Sequence, residues 1–144
     1  MTATSEQLHS ALIYCLDFAK LMLEKAGEFY PFGATIDQQG ELSASGAWMG
    51  EEHPDKQEAF SFLNNALRTK LSDGTVIAIA VAADVNIPSQ FSPAFPDGVR
   101  ISLESADYAR HAYTPYRIKR QGFLKSKRVV EFAEPFSVET GSPD

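Results

Sequence analysis

The residue types that could do chemistry are few in this chain, and their spacing decides how each reads. Cys15 is the only thiol. A nucleophilic cysteine needs thiolate character and a nearby base. Cys15 instead falls in the middle of an amphipathic stretch, where a small core residue is expected. The histidines are His9, His53 and His111, no two of them four residues apart, and no His-Glu-x-x-His occurs. Glu51-Glu52-His53 with Asp55 comes nearest to a metal cluster. Pro54 and Asp55 there have a simpler reading as the start of a helix, so no metal or other cofactor is expected. Neither phosphate-binding glycine pattern is present, nor is Gly-x-Ser-x-Gly. Ser43-Ala44-Ser45-Gly46 lies in a strand pattern and not at a strand-to-helix elbow.

Charge supplies the clearest anomaly. Arg117, Lys119, Arg120, Lys125, Lys127 and Arg128 place six of the 13 basic residues within 12 positions that hold no acid. The remainder carries 7 basic against 19 acidic residues, a net −12. One reading is a patch for an anion or an acidic partner. The other is a hairpin whose cations block edge pairing. Nucleic acid is not an expected partner, because the acidic remainder opposes its approach. Three aromatics are candidates for contact with a partner: Tyr30 beside Phe29 and Phe32, Trp48 at the end of a strand, and Tyr116 next to the basic window.

The elements that must position these residues follow from periodicity. A chain of 144 residues with 44% apolar and 22% charged residues suits one globular domain with its own core, which excludes a disordered or disulfide-built chain. No signal peptide is expected from the N-terminal residues. The longest apolar run, residues 76–83, is far below the ~20 residues that span a bilayer, so no membrane partner and a cytoplasmic setting are expected.

Residues 4–26 read as a helix, with Leu8, Leu12, Leu16, Ala19 and Leu23 as its apolar stripe, a Thr4/Gln7 capping box and Gly27 as its stop. Residues 29–36 and 41–48 read as a hairpin turning at Asp37-Gln38-Gln39-Gly40. A second helix begins near Pro54, with Ala59, Phe60, Leu63, Ala66, Leu67 and Leu71 facing in. Residues 75–85 are apolar on both faces, the mark of a central strand covered on each side. Their alanines suggest that a helix approaches one face closely. Residues 86–98, with three prolines, read as a loop that either covers the core or binds something. Residues 99–104, 108–118 and 127–133 read as further strands.

The prediction is therefore an α+β domain over residues 1–136: a single, mainly antiparallel sheet flanked by two helices in the order α-β-β-α-β-β-β, with an extra strand. Residues 137–144 are expected to form a polar tail. The order is similar to that of profilin-like and roadblock-type domains. The chain also resembles a family of small bacterial proteins of unknown function. The resemblance rests on Glu28-Phe29-Tyr30-Pro31-Phe32-Gly33-Ala34 after the first helix, the second helix with its alanine-rich strand, Ile101-Ser102-Leu103-Glu104 and Thr114-Pro115-Tyr116. It implies a single domain and a bacterial, cytoplasmic setting, and no activity.

These observations favour a non-enzymatic binding or protein-interaction module, with a homodimer or a protein partner docking at a sheet edge or near Trp48. The alternative is a small enzyme with a site assembled from polar residues distant in sequence, for which Glu104, Arg110, His111 and Tyr116 are the candidates. Strand alternation places Arg110 and Tyr116 on one face and His111 on the other, so these four do not all converge.

Overall fold

The computed structural model describes residues 2–46 and 55–140. Helix α1 spans Ser5–Ala26. Its start is the expected capping box: the Thr4 hydroxyl accepts from the Gln7 amide at 3.1 Å, and the Gln7 side chain accepts from the Thr4 amide at 2.9 Å. Gly27 ends the helix in the left-handed conformation. The buried line along α1 is Ala11, Cys15, Ala19 and Leu23. Leu8, Leu12 and Leu16, expected at the centre of the stripe, are only partly buried and flank it. The cause is the surface beneath: Ala78, Ala80 and Ala82 belong to the same core cluster, and small residues on helix and strand let the two backbones approach.

Strands β1 (Phe32–Asp37) and β2 (Leu42–Gly46) form the predicted hairpin. The Asp37 carboxylate holds the turn by accepting from the Gln39 and Glu41 amides, each at 2.9 Å. Phe32, Ala34 and Ile36 join the α1 core. Gly33 faces the other way, against Leu67. Helix α2 (Lys56–Ser72) is capped by Asp55, whose carboxylate accepts from the Gln57 and Glu58 amides. This confirms the helix-start reading of Asp55; Glu51, Glu52, His53 and Pro54 lie outside the described residues. Ala59, Leu63 and Leu67 are the buried face of α2, whereas Ala66 is exposed.

Strand β3 (Val76–Asn86) is buried from Val76 through Ala83, as a strand covered on both faces must be. Simple alternation fails at its start. The β1–β3 register shifts between Ile36 and Asp37, so Ile77 joins the α1 core and Val76 the smaller core under α2.

Strands β4 (Asp97–Ser105), β5 (Tyr108–Gln121), β6 (Lys127–Phe132) and β7 (Phe136–Glu139) complete an antiparallel sheet of order β2-β1-β3-β4-β5-β6, with β7 also paired to β5. The fold class and chain order are those expected, with β6 as the expected extra strand and β7 as one more. Residues 137–139, expected in a polar tail, are instead part of β7, paired with residues 110–112 of β5. Strands β6 and β7 run along the same stretch of sheet as one interrupted edge. The interruption falls beside Pro115, which has no N–H for a ladder and whose carbonyl accepts from Ala133 at 2.9 Å.

The two faces of the sheet are covered unequally. Helix α1 packs across β1, β3, β4 and β6, whereas α2 packs chiefly on β3 and β1. The loop after β3 covers another part of the α2 face. Ile87 rests on Gly98, where any Cβ would lie 2.5 Å from its Cδ1. Phe91 packs against Tyr113 and Phe136, with ring centroids 5.7 Å from each. The loop at residues 86–98 is thus a cover for the sheet.

Candidate functional site

Among the described residues two features stand out beyond the core: the basic hairpin joining β5 to β6, and a polar groove between α2 and the β4–β5 ladder.

The six cations of the hairpin do not act alike. The Arg128 guanidinium donates to the Lys25 carbonyl at 2.9 Å, fixing a cation at the negative end of α1. Glu24 accepts from the Val130 amide at 3.2 Å, so the same end of α1 also satisfies a donor of the edge strand β6. Arg117 lies 4.9 Å above the Phe95 ring and donates to Glu131 at 2.7 Å. Lys119 reaches the same carboxylate at 3.0 Å. Its two cationic neighbours hold the Glu131 carboxyl below the usual carboxylate range, mainly through the hydrogen bonds from Arg117 and then Lys119. Arg120, Lys125 and Lys127 are exposed and make no ion pair among the described residues. Beside them, at the hairpin tip, Phe123 is 86% exposed and Leu124 is 84% exposed. The tip is a short 3-10 turn in which Leu124 (φ 57°) and Lys125 (φ 54°) take left-handed conformations. Lys125 N donates to the Gly122 carbonyl at 2.9 Å, and the Ser126 hydroxyl to the Phe123 carbonyl at 3.0 Å. Sequence reasoning found the cations and noted Phe123 interleaved with them, but did not single out Leu124 or the exposure of the pair, which a residue pattern at a turn does not reveal.

The candidate contact aromatics separate in the same way. Tyr30 is exposed, with the Lys56 ammonium 5.4 Å from its ring centre. Tyr116 is buried in the α1 core and its hydroxyl donates to Asp84 at 2.6 Å, which removes it from the surface where a contact aromatic must be. Burial raises the pKa of both Asp84 and Tyr116; their shared hydrogen bond lowers that of Asp84 and raises that of Tyr116 further. Trp48 lies outside the described residues. In the Phe-Tyr-Pro-Phe-Gly block, Phe29 and Phe32 are core residues and Gly33 meets a packing demand, leaving Tyr30 as its exposed member.

The groove, of about 770 Å³, runs between α2 and the β4–β5 ladder. Arg100, Ser102 and Glu104 alternate with core residues along β4 and point into it, facing His111 from β5 and Phe60, Asn64 and Arg68 from α2. Ser102 and His111 are direct cross-strand partners, and the Ser102 hydroxyl lies 2.8 Å from His111 Nδ1. Arg68 donates to Glu104 at 3.2 Å across the groove. The Arg100 guanidinium lies 5.0 Å from the centre of the Phe60 ring. Its Nε is buried and has no hydrogen-bond partner among the described residues. Burial, and next the positive charge of Arg100, hold the His111 pKa below the usual histidine range.

Of the four residues considered for an enzyme, the structure brings Glu104 and His111 into this groove. Tyr116 belongs to the α1 face, and Arg110 bonds Ser137 and Glu139 along β7. Arg100 and Ser102 were missed as site residues, because on the sequence they read as the outward half of an ordinary alternating strand. Cys15 is fully buried, its thiol pushed up to about 12 by burial, as its inert reading requires. Among the described residues no cluster of three His, Cys, Asp or Glu is placed to hold a metal ion, and no helix is long and apolar enough to cross a membrane. No family model, curated protein or solved structure matches the chain.

Proposed function

We propose that the chain is a non-enzymatic interaction module that docks an acidic partner protein through the tip of the β5–β6 hairpin. The observation that carries this reading is the exposed Phe123–Leu124 pair set among Arg120, Lys125 and Lys127, which have no ion-pair partner among the described residues. An apolar anchor inside a charged rim is the arrangement of protein contacts: the anchor supplies affinity and the rim steers encounter. The two consecutive left-handed residues support it too. Such conformations cost roughly 1–2 kcal/mol per residue and are kept where the tip must hold a shape.

The test uses the whole chain and a short poly-L-glutamate peptide as an acidic probe, then a photoreactive benzophenone side chain at position 123 in the cells that make the protein. Peptide binding should fall steeply as salt rises through 0.15 M, where the Debye length is about 8 Å. It should be lost when Arg120, Lys125 and Lys127 are changed together to Gln. The cross-linker should capture one discrete protein, and the same triple substitution should abolish the adduct. An adduct indifferent to the three substitutions, or no adduct at all, overturns the reading.

A homodimer through the outer edge of β2, which among the described residues pairs only with β1, is the second-copy form of the same proposal. Sedimentation giving a single species of 15.8 kDa at micromolar concentration excludes it. A cytoplasmic setting is proposed with it.

The Ser102–His111 contact favours a second reading, a small hydrolase, since a neutral His can take the Ser proton. It is the weaker reading for a physical reason. Ser102 sits inside strand β4, which is paired on both sides, so the main-chain donors around it are committed to ladders and none is left to form an oxyanion hole. Turnover of p-nitrophenyl acetate that disappears in Ser102→Ala would reverse this preference.

A further inference from the structure

We infer that the groove between α2 and the β4–β5 ladder binds a small molecule carrying a carboxylate or phosphate group, with Arg100 as its anchor and the Ser102–His111 pair beside it. This goes beyond the docking role of the hairpin and uses none of its residues.

The first argument is the state of Arg100. Arg68, Arg110, Arg117 and Arg128 each donate to an acceptor within the chain. Arg100 differs in having its Nε buried without a partner among the described residues. A buried donor left unmatched is costly, and a guanidinium cannot relieve the cost by losing its proton. An oxyanion in the groove gives the guanidinium an acceptor it does not find within the described residues, and the planar fork of Arg fits carboxylate or phosphate oxygens two at a time.

The second argument is preorganisation. Arg100 stands on a strand paired on both sides and its guanidinium stacks on Phe60, so neither backbone nor side chain needs to be ordered when a ligand arrives. The size of the groove is that of a small-molecule site and not of a macromolecular contact.

The third argument is the disposition of the other charges. Glu104 is occupied by Arg68, and Asp107 stands at the β4–β5 turn, where it accepts from the Ser105 hydroxyl at 3.5 Å. Of the two arginines in the groove, Arg68 is paired with Glu104, whereas Arg100 makes no ion pair among the described residues and stays open to an anion; uncharged polar groups line the groove with it, among them the Ser102 hydroxyl and the Asn64 amide. His111 joins them as a second sensor of the ligand. The charged groups lining its groove are Arg100 and Glu104 on β4, Arg68 on α2 and Asp107 at the turn. An added anion at Arg100 offsets the repulsion between that guanidinium and an imidazolium, so the pKa of His111 rises on binding.

The test is a titration of the intact chain with inorganic phosphate and, separately, with benzoate, followed by the Nε–H resonances of its arginines and the ring resonances of His111. The Arg100 resonance should shift and saturate, and the His111 titration should move to higher pH, while the exposed Arg120 drifts linearly. Saturation with phosphate alone assigns a phosphate-bearing ligand; saturation with benzoate alone assigns a carboxylate. Arg100→Lys keeps the charge but loses the fork, and should weaken binding about tenfold or more. If that variant does not fold, the wild-type Arg100 and His111 shifts decide. The triple hairpin substitution should leave the titration unchanged, which separates this site from the docking reading. An Arg100 shift that parallels Arg120 without saturating, or an affinity unchanged in a folded Arg100→Lys variant, overturns the assignment.

Discussion

Replacing Gly33 by Ala should destabilise the fold although it adds a single methyl group. Its Cβ would stand 2.5 Å from the Ala80 carbonyl oxygen and 2.9 Å from Leu67 Cδ1. Carbon–oxygen contacts in sheets settle near 3.3–3.6 Å, so the first distance must grow by about 1 Å. The oxygen belongs to β3, which is hydrogen-bonded to β1 on one side and β4 on the other and has little freedom to move. Overpacking of this kind costs about 1–3 kcal/mol. Against it stands the unfolded-state gain of a Gly→Ala change, roughly 0.4–1 kcal/mol. The two ranges leave a net loss of roughly 0–2.6 kcal/mol, and a contact as short as 2.5 Å to a held backbone oxygen places the change in the upper part of it, read as a lower urea midpoint at unchanged slope. Leu67→Ala provides the control. Alone it should cost about 2–5 kcal/mol, but it removes only the farther obstacle, so Gly33→Ala should still destabilise in the Leu67→Ala background. A Gly33→Ala protein as stable as the wild type would refute the reasoning, because it would mean that β1 and β3 are not locked at this contact.

Burial of the His111 ring, with Arg100 as the second cause, sets a pH dependence of stability. The unfolded chain binds a proton near pH 6.5 where the folded chain does not, so stability is full above that pH and falls as the pH drops through 6.5 toward the lower folded value. Urea midpoints between pH 5 and 8 should show this slope reduced in His111→Gln, and an identical slope in both proteins counts against a desolvated His111. Cys15, with its thiol pushed to about 12, should carry about a thousandfold less thiolate than an ordinary cysteine and react with a disulfide reagent only as the protein unfolds; fast labelling at pH 8 without denaturant would place it at the surface. Leu23→Ala, at a fully buried position, should cost about 2–5 kcal/mol, and Leu16→Ala, at the flank of the stripe, less than about 2 kcal/mol. Equal losses in urea melts would restore the leucine-centred stripe.

What the sequence determined by itself is what local period and turn chemistry carry. The capping box at Thr4, the Gly27 stop, the Asp37 turn and the two-faced apolar run of β3 each depend on neighbours within a few residues, and each is found where the pattern put it. The burial of Cys15 also followed from its place in a helical period. Tertiary structure decided which side of each element is covered and by what. Ala11 and Cys15 displaced the leucines from the centre of α1 because the strand beneath presents alanines, a fact about a partner some 60 residues away. Arg128 became a cap for α1 through a contact spanning 103 positions, which took it out of the patch that its neighbours in sequence suggested. The groove depends on α2 lying chiefly over β3 and β1, so that it reaches β4 through side chains such as Arg68 and Phe60. Alternation along β4 could show that Arg100, Ser102 and Glu104 share a face. Only the packing of α2 and of the loop at residues 86–98 on either side left that face open, and so turned three outward residues of a strand into the wall of a site.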